Sequence, residues 1–189
     1  YDMAVLAGDK LFIYAFEIAA KAFALTDRAD LVGKAISILA NKAGIYGMIG
    51  GQSVDVEYTD RPVTKSQLEF IYELKTAALL EAAMMIGAVL AGADDNQVKA
   101  AEQIAHHVGM AFQIRDDILD VISTTEELGK PVKSDEKNNK TTYVTIYGLD
   151  GASKLVEEYS HTAMTLLDQV CPNASFLKRL FEYLIVRKK

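Results

Sequence analysis

The chain has 189 residues, half of them apolar and 24% charged, with a formal net charge of −6 at pH 7. That is length enough for one domain with a sizeable core, and too apolar a composition for a disordered or fibrous chain. The acidic balance excludes a general nucleic-acid binder, which needs a basic surface, but not an anionic ligand, because bound cations can reverse the local sign.

Plentiful alanine, leucine, isoleucine and lysine, with only three prolines, favour helix. The N-terminal run YDMAVLAGDKLF has no basic segment before its apolar part, so it does not read as a signal peptide. A first helix is expected over about 3–23 and a second over about 30–56, where Gly44, Gly47, Gly50 and Gly51 permit close packing or a kink. TDRPV at 59–63 is a break. Thr64 then opens a third helix, with Gln67 completing a capping-box pattern, and this helix should run to about 90. Its alanine-rich stretch 76–92 is interrupted by Glu81, so it reads as a buried core helix and not a membrane span. Asp94 or Asp95 can cap a fourth helix over 96–123. The polar run TTEELGKPVKSDEKNNK at 124–140 is a long loop, a length usually associated with function or disorder. Helices follow at about 141–147, 151–170 and 175–187. No convincing period-2 strand is found, so the fold class is an all-α bundle forming a single domain over 1–189.

The fourth helix carries the most informative stretch, FQIRDDILDV at 112–121. At about 100° per residue, Val98, Ala101, Ala105, Val108, Phe112 and Leu119 form one stripe. Asp116 falls inside it, Gly109, Gln113 and Asp120 lie on its edge, and Asp117 is turned about 100° away. An unpaired carboxylate on a buried face is costly, so two of them ask for a cation. The third helix repeats the pattern with opposite sign. Leu68, Ile71, Tyr72, Leu79, Ala82 and Ile86 form its stripe, with Lys75 in the middle and Thr76 beside it. A buried Lys75–Asp116 pair, or an acidic face in solvent, accounts for the same periodicity. Ligand chemistry favours a site: carboxylates along one helix suit Mg2+, which takes hard ligands and keeps waters and substrate phosphates. Lys130, Lys133, Lys137 and Lys140 of the loop offer cations to a phosphate, although Lys133 and Lys137 read as solvated.

Other signals carry less. His106 and His107 follow Glu102 without the Glu-x-x-His spacing of a di-metal bundle, and read as surface or packing residues. GMIGG has no strand before it and is no dinucleotide loop. The single Cys171 excludes an internal disulfide and suits a reducing compartment. Met84 and Met85 read as core filler.

These residues resemble the trans-isoprenyl diphosphate synthases (polyprenyl synthetases), most closely the bacterial farnesyl or geranylgeranyl type. FQIRDDILDV is similar to the family's second aspartate-rich motif, GGQSVDVE at 50–57 to its GQ-x-x-D segment, and ELKTAALLEAA at 73–83 to its K-T motif. LGKPVKSDEKNNKTTY resembles its G-K loop with a K-(S/T)-T-Y ending, and YLIVRKK its basic C-terminus. AVLAGDKLFIYAFE at 4–17 resembles the helix after the first aspartate-rich motif. The resemblance implies an isoprenoid-synthase-type bundle around a central cavity and a Mg2+-dependent prenyltransferase, with two or three ions in the complete site. It implies Asp116 as a direct Mg2+ ligand, with Asp117 and Asp120 holding metal-bound water or completing the acidic rim. Lys75, Lys130 and Lys140 would grip the allylic diphosphate. Thr76, Gln113, Gln52 and Asp55 would line the pocket, and Arg187 would help close it over isopentenyl diphosphate.

The single cysteine, the acidic balance and the interrupted apolar run lead to the expectation of a cytoplasmic chain with no nucleic-acid partner and no stable membrane span. The first two helices, apolar on more than one face, lead to that of a homodimer, and the resemblance implies the same helices as the subunit contact. The first aspartate-rich motif is expected to precede the segment at 4–17, so the chain should be the C-terminal two-thirds of the fold and inactive in elongation by itself. Two alternatives stand beside this reading. One is a non-catalytic helical subunit modulating an active synthase; the other is a terpene cyclase-like enzyme.

Overall fold

Residues 2–123 and 140–187 are described by a computed structural model, and every regular element among them is helical. In chain order these are α1 (Asp2–Ala20) with a 3-10 turn at Lys21–Ala24, α2 (Ala29–Ala43), α3 (Met48–Glu57) and α4 (Lys65–Tyr72). A π turn (Glu73–Ala77) joins α4 to α5 (Ala78–Leu90). Then come α6 (Asp95–Ile122), α7 (Tyr143–Val170) and α8 (Ser175–Val186).

Capping chemistry sets several of these starts. Thr64 with Gln67, Asp94 with Gln97, and Thr142 with Thr145 each form a reciprocal capping box, satisfying N–H groups that a helix start leaves without partners. The expected second helix is divided into α2 and α3. A Cβ on Gly47 would stand 1.9 Å from the Lys42 carbonyl oxygen, so the break there needs glycine. The two helices expected at 141–147 and 151–170 join into α7, kinked at Gly148, whose φ of 70° other residues rarely adopt.

The 28-residue α6 is about 42 Å long and is the axis of the bundle. It packs along α7 on one side and α5 on the other, while α2 lies against α5 and α3 against the π turn. One core gathers Leu68, Ile71, Tyr72, Ala111, Ile114 and Tyr143; a second joins Ile104, Val108, Leu167 and Phe181. Burial of these side chains from water is the main force holding α4, α6, α7 and α8 together. By contrast α1 buries none of its residues, and Met3, Leu6, Leu11 and Ile13 are exposed along it.

The π turn corrects the expected stripe of the third helix. One extra residue in a turn rotates everything after it by roughly 100°. Leu79 is therefore exposed, while Ala77, Ala78 and Glu81 are buried.

Candidate active site

The π turn carries the Lys75–Thr76 pair and is approached from two sides by glycines. A Cβ on Gly51 of α3 would sit 2.4 Å from the Lys75 backbone nitrogen. A Cβ on Gly109 of α6 would sit 2.6 Å from Ala77 Cα. Both neighbours reach the turn only because they lack a side chain. π turns inside α-helices are frequent at functional sites, and this one brings a lysine and a threonine between α3 and α6.

Lys75 does not pair with Asp116. Its Nζ donates to Oδ2 of Asp55 on α3 at 2.5 Å, and Lys140 Nζ stands 3.7 Å from the other oxygen of the same carboxylate. Asp55 thus gathers two ammonium groups from distant stretches of chain. A cavity of about 380 Å³ opens beside it, lined by Asp55, Arg61, Leu68, Ile71, Lys140 and Thr141. A more open hollow of about 520 Å³ has Lys75 and Gln52 in its wall. Next to Lys75, the Thr76 hydroxyl donates to Gln113 Oε1 at 2.9 Å and joins the π turn to α6. Lys75 and Lys140 therefore meet at Asp55, Thr76 meets Gln113 next to Lys75, and Gln52 shares the open hollow with Lys75. Lys130, together with Lys133 and Lys137, lies outside the described residues.

The three aspartates do not converge. Asp116 is part-exposed and accepts from Arg187 Nη2 at 2.5 Å, while the guanidinium lies 3.8 Å over the Phe112 ring. Arg115 in turn donates to the Arg187 carbonyl at 3.1 Å. Asp117 and Asp120 are only 3% and 4% exposed. Asp117 accepts from Tyr72 Oη at 2.7 Å and from the Tyr143 N–H at 3.0 Å. The helical wheel places Asp117 correctly away from Asp116 but assumes one buried face. Because α6 is packed on two sides, that other direction points into the α4–α7 contact, not to an acidic rim.

Among the described residues, no group of three or more His, Cys, Asp or Glu stands close enough to hold an ion. Asp116 nevertheless fits Mg2+ as a single carboxylate ligand. It is part-exposed and already binds a cationic group, and Mg2+ completes its shell with water and phosphate oxygens.

Sequence reasoning misses a second polar cluster, which shares a hollow with Glu73 and Leu74 of the π turn. Lys42 of α2 bridges Glu81 and Glu102 at 2.5 Å each, and His106 Nδ1 lies 3.1 Å from Glu81. The hydrogen bond to Glu81 raises the His106 pKa against the effect of burial. Burial alone would raise Glu81, but His106 and Lys42 hold it below its ordinary value. The available signals were Glu81, a charge inside an alanine-rich run, and Glu102 with His106, whose spacing is read only against a di-metal pattern.

The chain matches the family model described as Polyprenyl synthetase over residues 1–173. It is 37% identical over 185 residues to the farnesyl diphosphate synthase of Geobacillus stearothermophilus, covering 98% of this chain and 62% of that protein. To the geranylgeranyl diphosphate synthase of Cyanophora paradoxa it is 42% identical over 157 residues, covering 82% of this chain and 52% of that one. The crystal structure of the Helicobacter pylori geranyltransferase complexed with magnesium and isoprenyl diphosphate superposes with a TM-score of 0.81 at 33% identity. That likeness covers 96% of this chain and 59% of the other. The chain spans less than two thirds of the length of these three proteins.

Proposed function

The chain belongs to the polyprenyl synthetase family, and on that premise we propose that it acts in a Mg2+-dependent trans-prenyltransferase joining an allylic diphosphate to isopentenyl diphosphate. The observation that carries this reading is the gathering of Lys75 and Lys140 on Asp55, beside a cavity with apolar wall residues. The allylic carbon–oxygen bond must ionise, and negative charge then builds on the leaving diphosphate. Lys75 and Lys140 are held where they can take up that charge, so little reorganisation is needed as it develops. Bound Mg2+ would add Lewis-acid neutralisation of the same diphosphate, with Asp116 as its carboxylate ligand. The Thr76 hydroxyl and Gln113 amide offer dipoles beside the allylic cation. The double bond of isopentenyl diphosphate attacks that cation, forming the new carbon–carbon bond, and loss of a proton completes the transfer. Leu68, Ile71 and Val63 keep the neighbouring wall apolar, which limits attack by water.

We further infer a homodimer, because α1 presents apolar side chains along its length with none buried. Light scattering that finds only monomer at micromolar concentration would count against it. A cytoplasmic setting suits a chain with one free cysteine. Among the described residues, no helix is long and apolar enough to cross a membrane.

Product analysis with an allylic diphosphate, with and without isopentenyl diphosphate, separates the readings. A longer diphosphate formed only with both substrates supports transfer. A cyclic hydrocarbon from the allylic diphosphate alone favours a cyclase. No turnover, together with stimulation of an added active synthase, favours a modulating subunit.

A further inference from the structure

Asp117 is the aspartate of the acidic run that turns into the protein, and one of its oxygens joins three helices. Oδ2 accepts from Tyr72 Oη, on the last residue of α4, and from the N–H of Tyr143, the first residue of α7. All three residues are buried. Each of the three stretches meeting here also carries a charged group of the candidate site. Asp116 is next to Asp117 on α6. Tyr72 immediately precedes the π turn with Lys75. Lys140 lies three residues before Tyr143.

We propose that Asp117 is a positioning residue, with Tyr72 as its partner: its Oδ2 sets where Asp116, Lys75 and Lys140 stand relative to one another, instead of holding the metal ion or its water. Tyr143 N–H is one of the first-turn donors that a helix cannot satisfy internally, and a carboxylate at that end also meets the positive pole of α7. Thr142 caps the Thr145 N–H, and Asp117 takes the Tyr143 N–H, so the start of α7 is fixed at two points. Tyr72 holds the same oxygen from the other side, so the entrance to the π turn is referenced to the same atom. Charge-assisted bonds in a buried setting are the strong class and hold their geometry.

The inference rests on the prenyltransfer reading, and its test is chosen to fail separately. Asp117→Asn keeps a carbonyl oxygen able to accept both bonds, whereas Asp117→Ala keeps none. The measurements are kcat and KM for both diphosphates, the Mg2+ concentration that half-saturates inorganic diphosphate binding, the melting temperature, and hydrogen exchange at the Tyr143 amide. Asp117→Asn should keep kcat and the Mg2+ half-saturation within about threefold and leave Tyr143 protected. Asp117→Ala should lose about tenfold or more in kcat and expose the amide to exchange. Should the alanine variant unfold, Tyr72→Phe, which removes one hydroxyl, should still lower kcat by about threefold with KM and melting temperature little changed. The proposal is overturned if Asp117→Asn fails as badly as Asp117→Ala with a tenfold higher Mg2+ requirement, or if Tyr72→Phe leaves kcat untouched. No turnover by the unaltered protein is the outcome expected of this chain by itself. Tyr143 exchange and Mg2+-dependent diphosphate binding then decide the positioning role, and only a loss of that Mg2+ dependence in the unaltered protein counts against the prenyltransfer reading.

Discussion

Arg187 donates to Asp116 at 2.5 Å and lays its guanidinium over Phe112, so the carboxylate expected to hold Mg2+ already has a cation from its own chain. A divalent ion must displace or outcompete that group. An ion pair of this exposure contributes on the order of 1 kcal/mol, a factor of about five in an equilibrium. Arg187→Ala should therefore lower the Mg2+ needed for half-maximal diphosphate binding by about that factor. Titration of the ion at fixed diphosphate checks this, and an unchanged or higher requirement would show that Arg187 does not compete.

Asp116→Ala removes the one part-exposed carboxylate of the run. Turnover should fall by about a hundredfold or more, equivalent to roughly 3 kcal/mol of transition-state stabilisation. The loss should exceed that of Asp117→Ala. Rates for Asp116→Ala near those of the unaltered protein would remove Asp116 from the site.

Gly51→Ala tests the close approach of α3 to the π turn. The added methyl would meet the Lys75 nitrogen at 2.4 Å and Leu74 atoms at 2.9 Å. Overpacking of this kind costs about 1–3 kcal/mol, so the melting temperature should drop and Mg2+-supported diphosphate binding should weaken with it. Thermal unfolding together with the binding titration gives both readings. An unaltered pair would mean the turn moves aside freely.

The Lys42–Glu81–Glu102–His106 cluster makes stability depend on pH. His106 is raised by its hydrogen bond to Glu81, so its contribution is complete below the ordinary histidine value of about 6.5 and is lost as pH rises through the higher folded value. Glu81 is held low, so its contribution is present above about 4.5 and is lost as pH falls through its lower folded value. Denaturant midpoints measured from pH 6 to 9 should decline for the unaltered protein relative to His106→Gln. Parallel profiles would exclude His106 from the effect.

The helical class, the capping box at Thr64, a cap at Asp94 or Asp95 and the family motifs were legible because they rest on local spacing. Lys75 and Thr76 stood out by the same spacing, whereas Gln113 was marked only as an edge position of its helix. The π turn was not, since nothing in ELKTA distinguishes the i→i+5 bonding of a π turn from that of ordinary helix, and its rotation moved Leu79 outward and Glu81 inward. The direction of Asp117 became readable only with α7 in place, because a wheel shows angles but not how many neighbours a helix has. Lys42 was silent in the sequence for a related reason: its partners come from two other helices.

Calorimetric titration of inorganic diphosphate, in Mg2+ and then in chelator, tests most directly whether Asp116 and the lysines at Asp55 form one metal-bridged site. The expected result is binding in Mg2+ that disappears in chelator and weakens markedly in both Asp116→Ala and Lys75→Ala. Equal affinity with and without Mg2+, or full affinity in both variants, would contradict the site described for this chain.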